Sequence, residues 1–183
     1  QSSSKENPEE DFEWALRRLS SVSVHSRLHG LAIINKAAYH EKMDEKLMAL
    51  HLYGEIPLRG SFPLEVVAFS RIGAARILSQ IGHTSDACRH LYNAHNLFKE
   101  SNNLELAWHS GFQFLSLAHK YANIEADLMD LQTTNAKPRE LGDEVTETMI
   151  HPRDLMDIAN SLKSNKVIYE NVDASIKEFL NSI

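Results

Sequence analysis

The residues best able to do chemistry in this chain are its ten histidines, its scattered acids and its one thiol. His25 and His29 stand four apart, the spacing that sets two imidazoles on one helix face as a metal-binding pair needs. No cysteine or carboxylate at matching spacing completes a ligand set beside them. His90 and His95, five apart, make a poor helical pair, and His40-Glu41 and His119-Lys120 read as solvated face residues. Glu105, Asp127 and Asp130 are available acids, but the Glu-x-x-His spacing of di-iron helical bundles is missing. There is no glycine-rich phosphate loop and no Gly-x-Ser-x-Gly elbow. Cys88 adjoins Ala87 in a predicted helix, has no neighbour that would lower its pKa, and reads as a small hydrophobe. The acid clusters Glu9-Glu10-Asp11 and Asp143-Glu144 suit capping and solvation. The residues thus point to a non-enzyme with no metal and no cofactor.

Composition narrows the class further. With 183 residues, 43% of them apolar and 24% charged, the chain has core enough for one domain or a short repeat. A net charge of -6 argues against nonspecific nucleic-acid binding, which needs a basic surface. A single cysteine rules out an internal disulfide and points to a reducing compartment, cytoplasm or nucleus. No segment approaches the roughly 18 uncharged apolar residues of a membrane span, and no signal peptide is evident. The chain opens on Gln1, not Met, and reads as a trimmed piece of something longer.

The elements that must position these residues are helical. After a polar segment, 1–7, expected to be disordered, Asn7-Pro8-Glu9-Glu10 is a helix start, running to about Val22 with Phe12, Ala15, Leu16 and Leu19 inward. A second helix is predicted from Ser26 to Lys42, burying Leu28, Leu31, Ile34 and Ala38. A third runs from near Asp44 to Gly54 with Leu47, Met48, Leu50 and Tyr53 as its apolar set. Pro57, Gly60 and Pro63 mark a connector. The fourth, Leu64 to Ile81, is apolar on more than one side and therefore central, and Gly82 stops it. Thr84-Ser85-Asp86 opens a fifth to Lys99, and Ser101-Asn102-Asn103 separates it from a sixth, Leu104 to Tyr121. A short seventh, 124–131, ends the main domain, 8–131. An irregular linker spans 132–150, and C-terminal helices occupy 151–183. The last segment, from Asn171, is amphipathic through Val172, Ile176, Phe179, Leu180 and Ile183.

Ala75, Gly82, Ala87, Leu91 and Ala94 put small residues where two short-looped helices touch most closely. Their spacing resembles the tetratricopeptide-repeat family. Arg71 and Ala74 depart from it, standing where that family has large apolar residues. Weak echoes recur at offsets of 37 (Ala37-Ala38 with Ala74-Ala75), 36 (Ala75 with Gly111) and 39 (His51-Leu52-Tyr53 with His90-Leu91-Tyr92). These exceed the family's usual repeat. Such long degenerate units look like those of large-assembly subunits, as in the anaphase-promoting complex and the cohesin loader. The resemblance implies an all-α fold of antiparallel hairpins in a short right-handed array, closed by a C-terminal capping or docking helix. The alternative is a non-repetitive helical bundle.

The resemblance also implies a concave face lined by the first helix of each unit. In that register it carries Asn35, Tyr39, Lys42, Phe69, Ile72, Arg76, Gln80, Trp108, Phe112 and Ser116. Aromatic, cationic and amide groups suit an extended peptide or helix of a partner protein. A scaffold or adaptor within a complex follows, binding no nucleic acid and no membrane, with self-association through the C-terminal helix a further expectation. The rival reading is a helical sensor holding a small molecule between its hairpins.

Overall fold

The computed structural model describes residues 7–120 and 152–164, with the isolated positions 170, 174, 177 and 178. The described residues are all-helical: α1 (Pro8–Val22), α2 (Arg27–Lys42), α3 (Lys46–Gly54), α4 (Leu64–Gln80), α5 (Thr84–Glu100), α6 (Leu104–Lys120) and α7 (Pro152–Ser164). The expected short helix at 124–131, the irregular linker and the apolar face of the tail helix lie outside the described residues.

Short polar side chains start three of the helices. Asn7 accepts from the Glu9 amide, Ser26 from the His29 amide and Asn103 from the Leu106 amide, each satisfying a donor that the first turn leaves open. The fifth helix differs from expectation: His83, not the Thr84-Ser85-Asp86 cluster, takes the cap position, and no side chain bonds there. Three helices stop in the same way. Asp44, Gly82 and Asn102 adopt left-handed φ of 61°, 88° and 60°, two residues past the ends of α2, α4 and α5. The next amide then reaches back five residues, from Glu45 to His40, His83 to Leu78 and Asn103 to Phe98, at 2.8–2.9 Å. These tight turns fold each helix back on its predecessor.

Packing follows chain order. α4 and α5 share the largest contact, then α5 with α6 and α2 with α3; α4 also touches both α2 and α3, and α7 lies on α6. Ala75, Ala87 and Ala94 are buried, as their spacing predicts. The core continues through Cys88, Leu91, Phe114, Leu115, Ile158 and Leu162.

The buried face of α2 is not the predicted one. Gly30, Ile33, Ala37 and His40 face inward, whereas Leu28 is 65% exposed and Leu31, Ile34 and Ala38 are half-buried. The small residues win because Gly30 admits the side chains of Val66 and Phe62, which a Cβ there would meet at 2.2 and 3.1 Å. In α3 likewise Ala49, Leu52 and Tyr53 are buried, while Leu47 and Met48 are exposed. The first helix buries no residue fully; Phe12, Ala15, Leu16 and Leu19 are half-buried against α2.

Burial pushes the Cys88 thiol up to about 12, and the residue is 0% exposed. Native protein should therefore resist a thiol reagent such as DTNB for hours, while protein unfolded in urea reacts at once with one equivalent. Fast native labelling would show that α4 and α5 open readily.

Candidate functional site

α4 is buried on nearly every side, and past its first residue the unburied positions form one stripe: Glu65, Phe69, Ile72, Arg76, Ser79 and Gln80. Steps of three and four put these residues on a single face. The stripe meets α6 across a groove of about 440 Å³. Ile72, Ala75, Leu91, Phe112 and Leu117 supply its apolar floor; Arg76, Ser79, Gln113 and Ser116 supply polar groups. The Ser116 hydroxyl is shielded from solvent and makes no hydrogen bond to any described residue.

Four of the residues expected on a concave face line this groove together: Ile72, Arg76, Phe112 and Ser116. The others lie outside its lining. Asn35, Lys42 and Gln80 are exposed on α2 and α4. Tyr39 is half-buried, with the Phe12 ring of α1 at 5.7 Å. Phe69 packs edge-on against Phe98 at 5.3 Å, and Trp108 packs on the core. Sequence reasoning missed Gln113, Ser79 and Leu117. Ser79 lies three residues past Arg76 on the unburied face of α4, and that helical spacing was its available signal.

Arg76 is held in place by its own chain. Its Nε and Nη2 donate to the two Glu41 carboxylate oxygens at 2.5 and 2.7 Å, and Nη2 also reaches the Tyr53 hydroxyl at 3.4 Å. The fork geometry is bidentate. The Arg76 hydrogen bond holds the Glu41 carboxyl below its usual range against the opposing effect of partial burial. Burial, then the Glu41 charge, raises the Tyr53 phenol. The groove thus carries a fixed guanidinium whose charge Glu41 already balances.

A second polar cluster lies inside the fold. Arg71, only 7% exposed, donates through Nη2 to the Ile56 carbonyl and ties α4 to the segment after α3. The long stem of Arg71 lies buried inside the fold while its guanidinium satisfies a backbone acceptor. His90 on α5 lies within its field. Burial, then Arg71, lowers the His90 imidazole to about 4, and its Nδ1 is shielded without a hydrogen-bond partner among the described residues. His95 is also lowered by burial, partly offset by its Nδ1 bond to the Ala107 carbonyl at 2.6 Å. These imidazoles are neutral packing groups between helices.

The His25–His29 pair does not share a helix face. His25 sits in the turn before α2 with φ of 59°, and its amide donates to His29 Nδ1 at 3.1 Å. Both rings pack on Phe62. Among the described residues no group of three His, Cys, Asp or Glu side chains could hold a metal ion, and no helix is long and apolar enough to cross a membrane. No protein-family model, curated protein or solved structure matches the chain.

Proposed function

We propose that this chain is a non-enzymatic interaction module, a tetratricopeptide-like scaffold or adaptor that takes an extended segment or helix of another protein along the α4–α6 groove. The observation that carries this reading is the groove: an apolar floor from three helices, rimmed by Arg76, Ser79 and Gln113. Half-buried aromatic and aliphatic anchors surrounded by polar groups are the usual composition of a binding patch. Small-residue helix crossings and short left-handed turns support the repeat reading. A small molecule is the second reading, because about 440 Å³ falls within the size range of ligand pockets.

A photo-crosslinking amino acid placed at Ser79 or Gln113, on the groove rim, should trap a discrete protein from cell extract. The same group at Lys99, exposed on α5, should not. Equal capture at all three positions would dismiss the groove. No capture, with a small-molecule library raising the melting temperature of wild type but not of Phe112→Ala, would favour the sensor.

A further inference from the structure

The flank of α1 turned away from α2 has an ordered composition. Glu10, Asp11, Trp14, Arg17, Arg18 and Ser21 are exposed there, and the Trp14 side chain lies 70% open to solvent. Large aromatic side chains are mostly covered in folded proteins. The acids of the first turn complement the helix dipole, but the arginines do not: the last turn of α1 holds no basic residue. Asp11, Arg17 and Arg18 form no salt bridge with a described residue. Glu10 takes a hydrogen bond from Asn7 and forms no salt bridge with a described residue.

The order of these residues is symmetric about Trp14. Glu10 lies four residues before it and Arg18 four after; Asp11 lies three before and Arg17 three after. A two-fold axis beside Trp14, perpendicular to the helix, therefore sets each acid opposite an arginine of a second copy and Trp14 opposite Trp14. Isologous contacts require this: residue i meets j, and j meets i.

We propose that the exposed flank of α1 is a self-association surface on which a second copy of this chain docks its own α1 antiparallel. Four Glu/Asp–Arg pairs flank a central Trp14–Trp14 contact. One helix pair buries less than a stable interface needs, so the dimer is weak, half-formed on the order of 100 µM at low salt. This surface is independent of the α4–α6 groove.

Sedimentation equilibrium of the full 183-residue chain tests the proposal. Wild type should pass from monomer to dimer as concentration rises from about 10 to 500 µM, and added salt should weaken the dimer. Trp14→Ala should weaken it at least about tenfold. Arg17→Glu with Arg18→Glu, and Glu10→Arg with Asp11→Arg, should each be monomeric alone and form a heterodimer when mixed. All four reversals in one chain should restore self-pairing. The altered side chains are exposed, and circular dichroism checks that helicity is kept. A monomer at every concentration overturns the proposal. So does a dimer insensitive to Trp14→Ala and both charge variants, and so does a mixture that stays monomeric while the quadruple reversal does too.

Discussion

Replacing Gly73 by alanine should destabilise this protein by about 2 kcal/mol, against a helix propensity that favours alanine by about 1 kcal/mol. The reason is a rigid neighbour. A Cβ on Gly73 would lie 2.3, 2.4 and 2.7 Å from three atoms of the Tyr53 ring. That ring is 2% exposed, and its hydroxyl is engaged with Glu41 and Arg76, so it has nowhere to retreat. Either α3 and α4 move apart or the ring gives up its polar contacts. The urea midpoint measures the effect, and the melting temperature should fall by about 4–8 °C. Gly54→Ala is the control. It ends α3 with nothing within 4 Å of an added Cβ, so propensity acts alone and the change should stabilise by a few tenths to about 1 kcal/mol. A double-mutant cycle with Tyr53→Leu should show Gly73→Ala costing less once the ring is gone. Stabilisation by Gly73→Ala in the wild-type background would mean that α3 and α4 are not locked at this crossing.

Helix ends and helix faces differ in what was legible in the sequence. Helix ends were readable because local chemistry makes them: Asn7-Pro8, Ser26, Gly82 and Asn102-Asn103 act on their own backbone neighbours. Alanine contacts at 75, 87 and 94 were readable because small residues at hairpin spacing have one obvious use. The inward face of α2 was not. In Leu28–Ala38 the large residues and the small ones both recur at helical spacing, and size suggested the wrong face. Which face wins depends on what fills the space opposite, here Phe62 and Val66, more than thirty residues away in sequence.

The candidate site was legible to a similar degree. The register implied by the repeat resemblance put Ile72 and Arg76 on one face of α4, and both line the groove. The pairing of Arg76 with Glu41 was not, because it joins α4 to α2 through a tertiary contact that no local pattern encodes. Tyr39 is shaded by Phe12 for the same reason: the docking of α1 decides it. Arg71 looked like a defect in a repeat pattern, yet its buried charge adds to the effect of burial on His90, its neighbour on α5.

That neighbour, His90, should make the protein acid-sensitive well above the carboxylate range. Its folded pKa is lowered to about 4 by burial and then by Arg71, against about 6.5 in an unfolded chain. Above pH 6.5 both states hold a neutral ring, and His90 adds no pH dependence. Between about 6.5 and 4 the unfolded chain binds a proton that the folded chain refuses, so stability falls as pH falls. The loss attributable to His90 should reach about 2 kcal/mol at pH 5 and level off near 3 kcal/mol below pH 4. Lowering of His95 by burial adds a loss of the same sign. Carboxylates such as Glu41, held down by its Arg76 hydrogen bond, lose their contribution at lower pH. Comparing wild type with His90→Gln isolates the one group, because every other titration is common to both. The two urea midpoints should lie close at pH 7.5, with the variant level or slightly lower, and cross as pH falls, the variant being the more stable at pH 5. A gap constant from pH 7.5 to 5 would mean that His90 titrates normally, and hence that water or an anion reaches its ring between α4 and α5.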